Sequence, residues 1–184
     1  MTEITELLVA ARAGDPAKLG AVFEALYPEL KRLAAWRAAS ERAGSTLTTT
    51  MLVHETYLKL VRSQGLDLRD RRHFFACAAR AMRQILVDHA RAASAAKRGA
   101  GAAPIELPGD VADFPRSPSW IDLDRALDAL DQIDAEQREL VELRYFAGLS
   151  RDEVAELLGC SVRTVERTWL RARAFLHAQL EAGA

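Results

Sequence analysis

Gly148-Leu149-Ser150-Arg151-Asp152-Glu153-Val154-Ala155-Glu156-Leu157-Leu158-Gly159-Cys160-Ser161-Val162-Arg163-Thr164-Val165-Glu166-Arg167 reads as two helices with a tight break between them. Ser150 is placed to cap the first helix by accepting from its free backbone N–H groups. Glu153, three residues on, completes a capping box. Val154, Leu157 and Leu158 fall at helical spacing on one face, with Ala155 small enough for a close crossing. Gly159 supplies the left-handed conformation that ends this helix. Ser161 caps the next, in which Val162 and Val165 are expected to point inward and Arg163, Thr164, Arg167, Thr168 and Arg171 outward. A short helix, a glycine turn and a basic second helix form a helix-turn-helix pattern, which lays its second helix in the DNA major groove. An ordinary helical hairpin carries the same caps. The outward arginines gathered on one helix favour the DNA-binding reading.

Working outward, the 184 residues are rich in Ala, Leu, Arg and Glu, which favours an all-α protein. No run approaches the roughly 20 apolar residues that span a membrane, and the start lacks the basic end and apolar core of a signal peptide. A cytoplasmic location and no membrane partner are expected. Cys77 and Cys160 stand singly inside helical patterns, so buried reduced thiols are expected, with no metal site and no cofactor.

The net charge of −1 hides a segregation. Between Arg69 and Arg98 the basic residues Arg69, Arg71, Arg72, Arg80, Arg83, Arg91, Lys97 and Arg98 face only Asp70 and Asp88. Between Glu106 and Glu142 the balance reverses, and Arg163 to Arg173 is basic again. Phosphate neutralisation is local and screened beyond about 10 Å, so two separated basic blocks suggest two contacts with a polyanion. The plainer alternative is that the first block solvates a helix surface.

The apolar spacing predicts a helix from Thr2 to Ala13 and another from Pro16 to about Ala39, with Pro28 bending or breaking it. A third carries Met51, Leu52, Glu55, Tyr57, Leu58 and Val61 and closes at Gly65. A fourth runs from Arg72 to about Ala96, with Phe75, Ala79, Met82, Ile85, Leu86 and His89 as its inner stripe. Lys97 to Ser119 is interrupted by Gly99, Gly101, Pro104, Pro108, Gly109, Pro115 and Pro118, and reads as a flexible linker. Two small helical domains follow from this, residues 1–97 and 120–184, joined by 98–119. The second contains helices from near Trp120 and from Glu136 to Phe146, then the helix-turn-helix.

Two stretches resemble one family. Leu143-Arg144-Tyr145-Phe146-Ala147-Gly148-Leu149-Ser150, with the helix-turn-helix after it, resembles the fourth region of bacterial sigma factors. Leu52-Val53-His54-Glu55-Thr56-Tyr57-Leu58-Lys59 resembles the second region, whose usual form is Leu-Val-Gln-Glu-Thr-Phe-Leu-Arg. The resemblance covers nearly the whole chain and omits a middle domain, as in the extracytoplasmic-function (ECF) group. It implies that the first domain binds core RNA polymerase and melts and reads the −10 element of promoter DNA, while the second reads the −35 element. On that pattern Leu52, Glu55, Thr56 and Lys59 meet the polymerase. Arg69, Arg71, Arg72, Arg80 and Arg83 guide phosphates, and Phe74 is a candidate to stack on an unpaired base, against a packing role for Phe74 or Phe75. Arg163, Thr164, Arg167, Thr168 and Arg171 meet the −35 duplex.

One departure bears on regulation. Where these factors carry an acidic stretch of the type Asp-Ala-Glu-Asp that meets a basic polymerase helix, this chain has Thr48, Thr49, Thr50 and Met51. The Leu-Val-His-Glu form, with Ala79 to Arg91 downstream, resembles a subgroup associated with Ser/Thr protein kinases. Phosphorylation, at Thr50 first and then Thr49 or Thr48, would restore the missing charge; the simpler alternative is that these threonines cap the third helix. Catalysis is not expected: His54-Glu55 starts like a zinc-protease helix, but Leu58 stands where the second histidine belongs. The competing reading is a helix-turn-helix transcriptional regulator that acts independently of sigma exchange.

Overall fold

The computed structural model describes residues 16–39, 47–63, 70–96 and 119–182, with side chains from 20 to 31 in the first helix. All regular structure in these residues is helical: α1 (Pro16–Ala39), α2 (Thr49–Arg62), α3 (Arg71–Ala96), α4 (Trp120–Asp131), α5 (Ala135–Val141), a π-turn (Glu142–Phe146), α6 (Arg151–Leu158) and α7 (Val162–Ala182). The helix expected over Thr2–Ala13, Gly65, and the linker apart from Ser119 lie outside the described residues.

Local chemistry sets the helix ends. Pro16 stands at the first position of α1, where a missing N–H costs nothing. Pro28 lies inside α1, and the helix runs on through it rather than breaking. Thr48 caps α2, its hydroxyl accepting from Met51 N at 3.3 Å. Ser119 with Asp122 and Ser150 with Glu153 form reciprocal capping boxes on α4 and α6. Asp134 caps α5 by accepting from the backbone N–H groups of Glu136 and Gln137, both at 3.0 Å. The helix predicted from Glu136 to Phe146 widens after Val141 into the π-turn, where Ala147 N donates to Glu142 O at 3.0 Å.

The core explains the order of packing. α1 lies on α2 and α2 on α3, with Phe23 edge-on to both Tyr57 and Phe74. α3 is covered on its other side by α4 and the π-turn. Its buried set is accordingly wider than the single predicted stripe, taking in Phe74, Ala78, Ala81, Arg83 and Val87, while His89 is only half-buried. In the second half, Trp120, Tyr145 and Phe146 form an aromatic cluster and α7 packs on α4, α5 and α6. The buried apolar residues of both halves form one connected cluster. Helix α3 is therefore the central element of the molecule.

Candidate nucleic-acid interface and the arginine cluster

The α6–α7 pair has the geometry that its caps dictate. Gly159 adopts φ +65°, a conformation that side chains with a Cβ disfavour, and the chain turns there between the two helices. Ser161 Oγ accepts from Thr164 N at 3.1 Å and closes the start of α7. Val165, Trp169, Ala172 and Leu176 are buried and fix the orientation of α7. The opposite face exposes Arg163, Glu166, Arg167, Leu170 and Arg171. Thr164 and Thr168, expected on this face, are half-buried beside it, and the Thr164 hydroxyl is bonded to that of Ser161 at 2.8 Å. Glu166 and Leu170 were absent from the expected set. The spacing of Val165, Trp169, Ala172 and Leu176 carries the signal for them, because the exposed stripe must lie opposite.

Arg163, Arg167 and Arg171 make no ion pair within 4 Å of a described residue. Glu166 accepts from Arg151 Nη1 at 3.0 Å, a bond that ties α6 to α7. Leu170 is 60% exposed among these charges. Behind them the Arg144 guanidinium lies 5.1 Å from the centre of the Trp169 ring. The face offers three cations, one held carboxylate and one apolar group.

The first basic block is placed differently. Arg71 donates to Glu29 at 2.7 Å and lies over the Phe75 ring. Arg72 makes a two-pronged bond to Glu139, at 2.9 and 2.7 Å, and that carboxylate raises its pKa. Arg80 lies 3.8 Å from Glu142. Arg83, only 4% exposed, donates to Asp124 at 2.8 Å, to Glu142 at 3.1 Å and also to Asp128. Burial alone would lower the Arg83 pKa, but its bonds to Asp128, Asp124 and Glu142 outweigh burial and raise it. Arg138 donates to Glu142 at 2.9 Å from the other side, so this carboxylate, 1% exposed, is held by two guanidinium groups. Arg91 reaches Asp124 at 3.4 Å.

Two expectations for this block do not match the conformation. Phe74 is fully buried with Phe75, so neither ring is presented to a base. Arg83 is enclosed by carboxylates rather than presented to a phosphate. Arg69 lies outside the described residues.

Among the residues expected at the polymerase, Leu52 and Thr56 are buried, and the Thr56 hydroxyl donates to Leu52 O at 2.7 Å. They shape the helix rather than its surface. Glu55 and Lys59 are half-exposed and line an open groove of about 730 Å³ with Leu58, Arg62, Asp88 and His89. Thr48 holds the α2 cap, Thr49 is half-buried, and Thr50 is exposed beside Tyr27, His54 and Tyr57. No acidic residue stands in the first turn of α2. The described residues contain no group of His, Cys, Asp and Glu arranged to hold a metal, and no helix long and apolar enough to cross a membrane. Burial pushes the Cys77 thiol up, as for an unreactive cysteine.

A family model described as "ECF sigma factor" matches residues 1–182. Two curated proteins are similar over part of the chain. RNA polymerase sigma factor CnrH of Cupriavidus metallidurans is 37% identical over 83 residues, which are 42% of this chain and 44% of that protein. RNA polymerase sigma factor NccH of Alcaligenes xylosoxydans xylosoxydans is 37% identical over 78 residues, 42% of each chain. The match spans less than half the length of either relative.

Proposed function

We propose that this chain, which belongs to the ECF sigma factor family, binds core RNA polymerase in the cytoplasm and directs it to promoters through two surfaces. The observation that carries the proposal is the exposed stripe of Arg163, Arg167 and Arg171 on a helix that follows a capped helix and a glycine turn. This is the form in which a helix-turn-helix presents its second helix to a duplex. Arginine pairs bidentately with guanine in the major groove, a carboxylate such as Glu166 accepts from cytosine, and an apolar group such as Leu170 contacts the thymine methyl. We assign these side chains to base reading at the −35 element and Thr164 and Thr168 to the flank. The first unit (1–97) is assigned to the polymerase and the −10 element, with Arg71, Arg72, Arg80 and the Glu55–Lys59 edge of α2 as its accessible groups, and 98–119 to the linker.

Regulation by threonine phosphorylation belongs to the same proposal. The start of α2 lacks acidic residues, and Thr50 is exposed there. A phosphate on Thr50 adds about −1.5 to −2 charges beside a helix N-terminus that favours them. The Thr48 hydroxyl holds the cap, which supports Thr50 over Thr48 as the modified residue. Thr50→Ala should abolish any gain in core polymerase binding on treatment with the cell's Ser/Thr kinases, and Thr50→Glu should reproduce part of it. Equal polymerase binding with and without treatment would sink the regulatory part. Co-purification with core polymerase separates the sigma reading from that of a regulator acting alone.

A further inference from the structure

We infer that Arg151, at the start of α6, is a positioning residue for sequence reading: it holds the Glu166 carboxylate of α7 where that group accepts from the amino group of a cytosine. The inference rests on the assignment of the α7 face to a duplex and adds to that face a residue from the preceding helix. Glu166 lies among cations of its own helix, with Arg163 three residues before it and Arg167 directly after. Spacing of three on a helix suits an ion pair, yet neither guanidinium lies within 4 Å of the carboxylate. Glu166 Oε1 instead accepts from Arg151 Nη1 at 3.0 Å, fifteen positions away in the sequence. Among the described residues this is the carboxylate's one hydrogen bond, so Oε2 is left to accept from a base.

The bridge acts on the reading face in two ways. It draws the carboxylate away from Arg163 and Arg167, which leaves both guanidinium groups unoccupied for guanine. It also offsets the Glu166 charge against the phosphates of a bound duplex, while Oε2 keeps its power to accept. The helix dipole does not favour a cation at this point: Arg151 is the first residue of α6, where a positive charge opposes the dipole. The two side chains are 46% and 47% exposed, so the bridge forms at the surface that α7 presents and not in the core. A duplex seated there excludes water from the pair and strengthens it. The competing role for an exposed arginine on the first helix, which crosses the DNA backbone, is a phosphate contact. A phosphate contact weakens all sequences alike and lowers the salt slope, whereas positioning acts at one base pair.

The test measures binding of the full chain to a duplex selected from a random library, and to its single-base variants, by fluorescence anisotropy over a range of salt. Arg151→Ala should lower discrimination about tenfold at one cytosine position, with the other positions and the salt slope unchanged. Arg151→Lys should restore part of the loss. Glu166→Ala should lose the preference at the same position, and adding Arg151→Ala to it should change nothing further. Both positions are exposed, so these variants keep the fold. Equal discrimination by wild type and Arg151→Ala would overturn the inference. So would a uniform loss at all positions with the salt slope reduced by about 1, or a further loss of discrimination in the double variant. Failure of the α7 assignment itself reads out separately, as a wild-type chain that prefers no duplex sequence.

Discussion

Two helices of this protein carry rows of arginine, and the rows have opposite fates. On α3, Arg72, Arg83 and Arg91 end on carboxylates from the second half of the chain, and Arg83 is buried with its charge reinforced by three of them. On α7, Arg163, Arg167 and Arg171 face outward without an ion-pair partner among the described residues. The residue type is the same; what differs is the element packed opposite. Among the described residues, α3 is sandwiched between its neighbours, whereas α7 packs through Val165, Trp169, Ala172 and Leu176 and leaves its arginines exposed. An arginine-rich block is thus a binding surface only where the fold leaves it uncovered.

The largest effect should come from Arg83→Ala, which leaves Glu142 and Asp124 with one guanidinium fewer in a buried site. Breaking a buried pair costs about 3–5 kcal/mol, to be read in urea unfolding at neutral pH. Arg167→Ala on the exposed row should cost no more than about 0.5 kcal/mol in the same assay. Comparable losses at the two positions would erase the distinction between the rows. In duplex binding the order reverses. Arg167→Ala should weaken discrimination between a selected site and its guanine-substituted variants by about 1–3 kcal/mol. An unchanged preference would remove Arg167 from the reading surface.

Gly159→Ala probes how α7 is aimed. A Cβ there meets no atom within 4 Å, so the cost is purely conformational, about 1–2 kcal/mol for a residue held at φ +65°. Thermal unfolding should show it, and a neutral substitution would mean that the turn relaxes easily. At Asp134 the expected effect is the contribution of its cap, about 1 kcal/mol. Hydrogen bonds from Gln137, backbone first and then side chain, lower its pKa. A lowered folded pKa gives stability that is present above the unfolded carboxylate value and lost as pH falls through the folded one. Asp134→Ala should therefore be less stable than wild type at neutral pH, and the gap should close in strong acid. A gap independent of pH would show that the carboxylate charge plays no part.

Much of this was legible in the sequence because it is governed by local rules. Caps at Ser150 and Ser161 and the turn at Gly159 depend on neighbours within four residues, and the structure places each where the pattern does. The start of α1 at Pro16 follows for the same reason, whereas Ser119, which caps α4, falls in the stretch that reads as linker. The pairing of Arg83 with Asp124, Asp128 and Glu142 joins residues 41 to 59 positions apart, which no periodicity reports. The segregation of basic and acidic blocks was visible, but it reads equally well as two polyanion sites or as two halves of one internal contact. Phe74 was ambiguous because adjacent phenylalanines on a helix can both be buried only if the helix is covered on more than one side, as α3 is. Glu166 and Leu170 were recoverable by anchoring the helical period on Trp169 and Leu176 instead of selecting polar residues.

The most direct test of the account is transcription from a fragmented genomic template by the host's core polymerase, with start sites mapped by sequencing. Wild-type protein and Thr50→Glu would be added in parallel. New start sites sharing two spaced upstream motifs are expected, with the distal motif's contribution lost in Arg163→Ala/Arg167→Ala. No new start sites with either protein, while duplex binding through α7 persists, would contradict it.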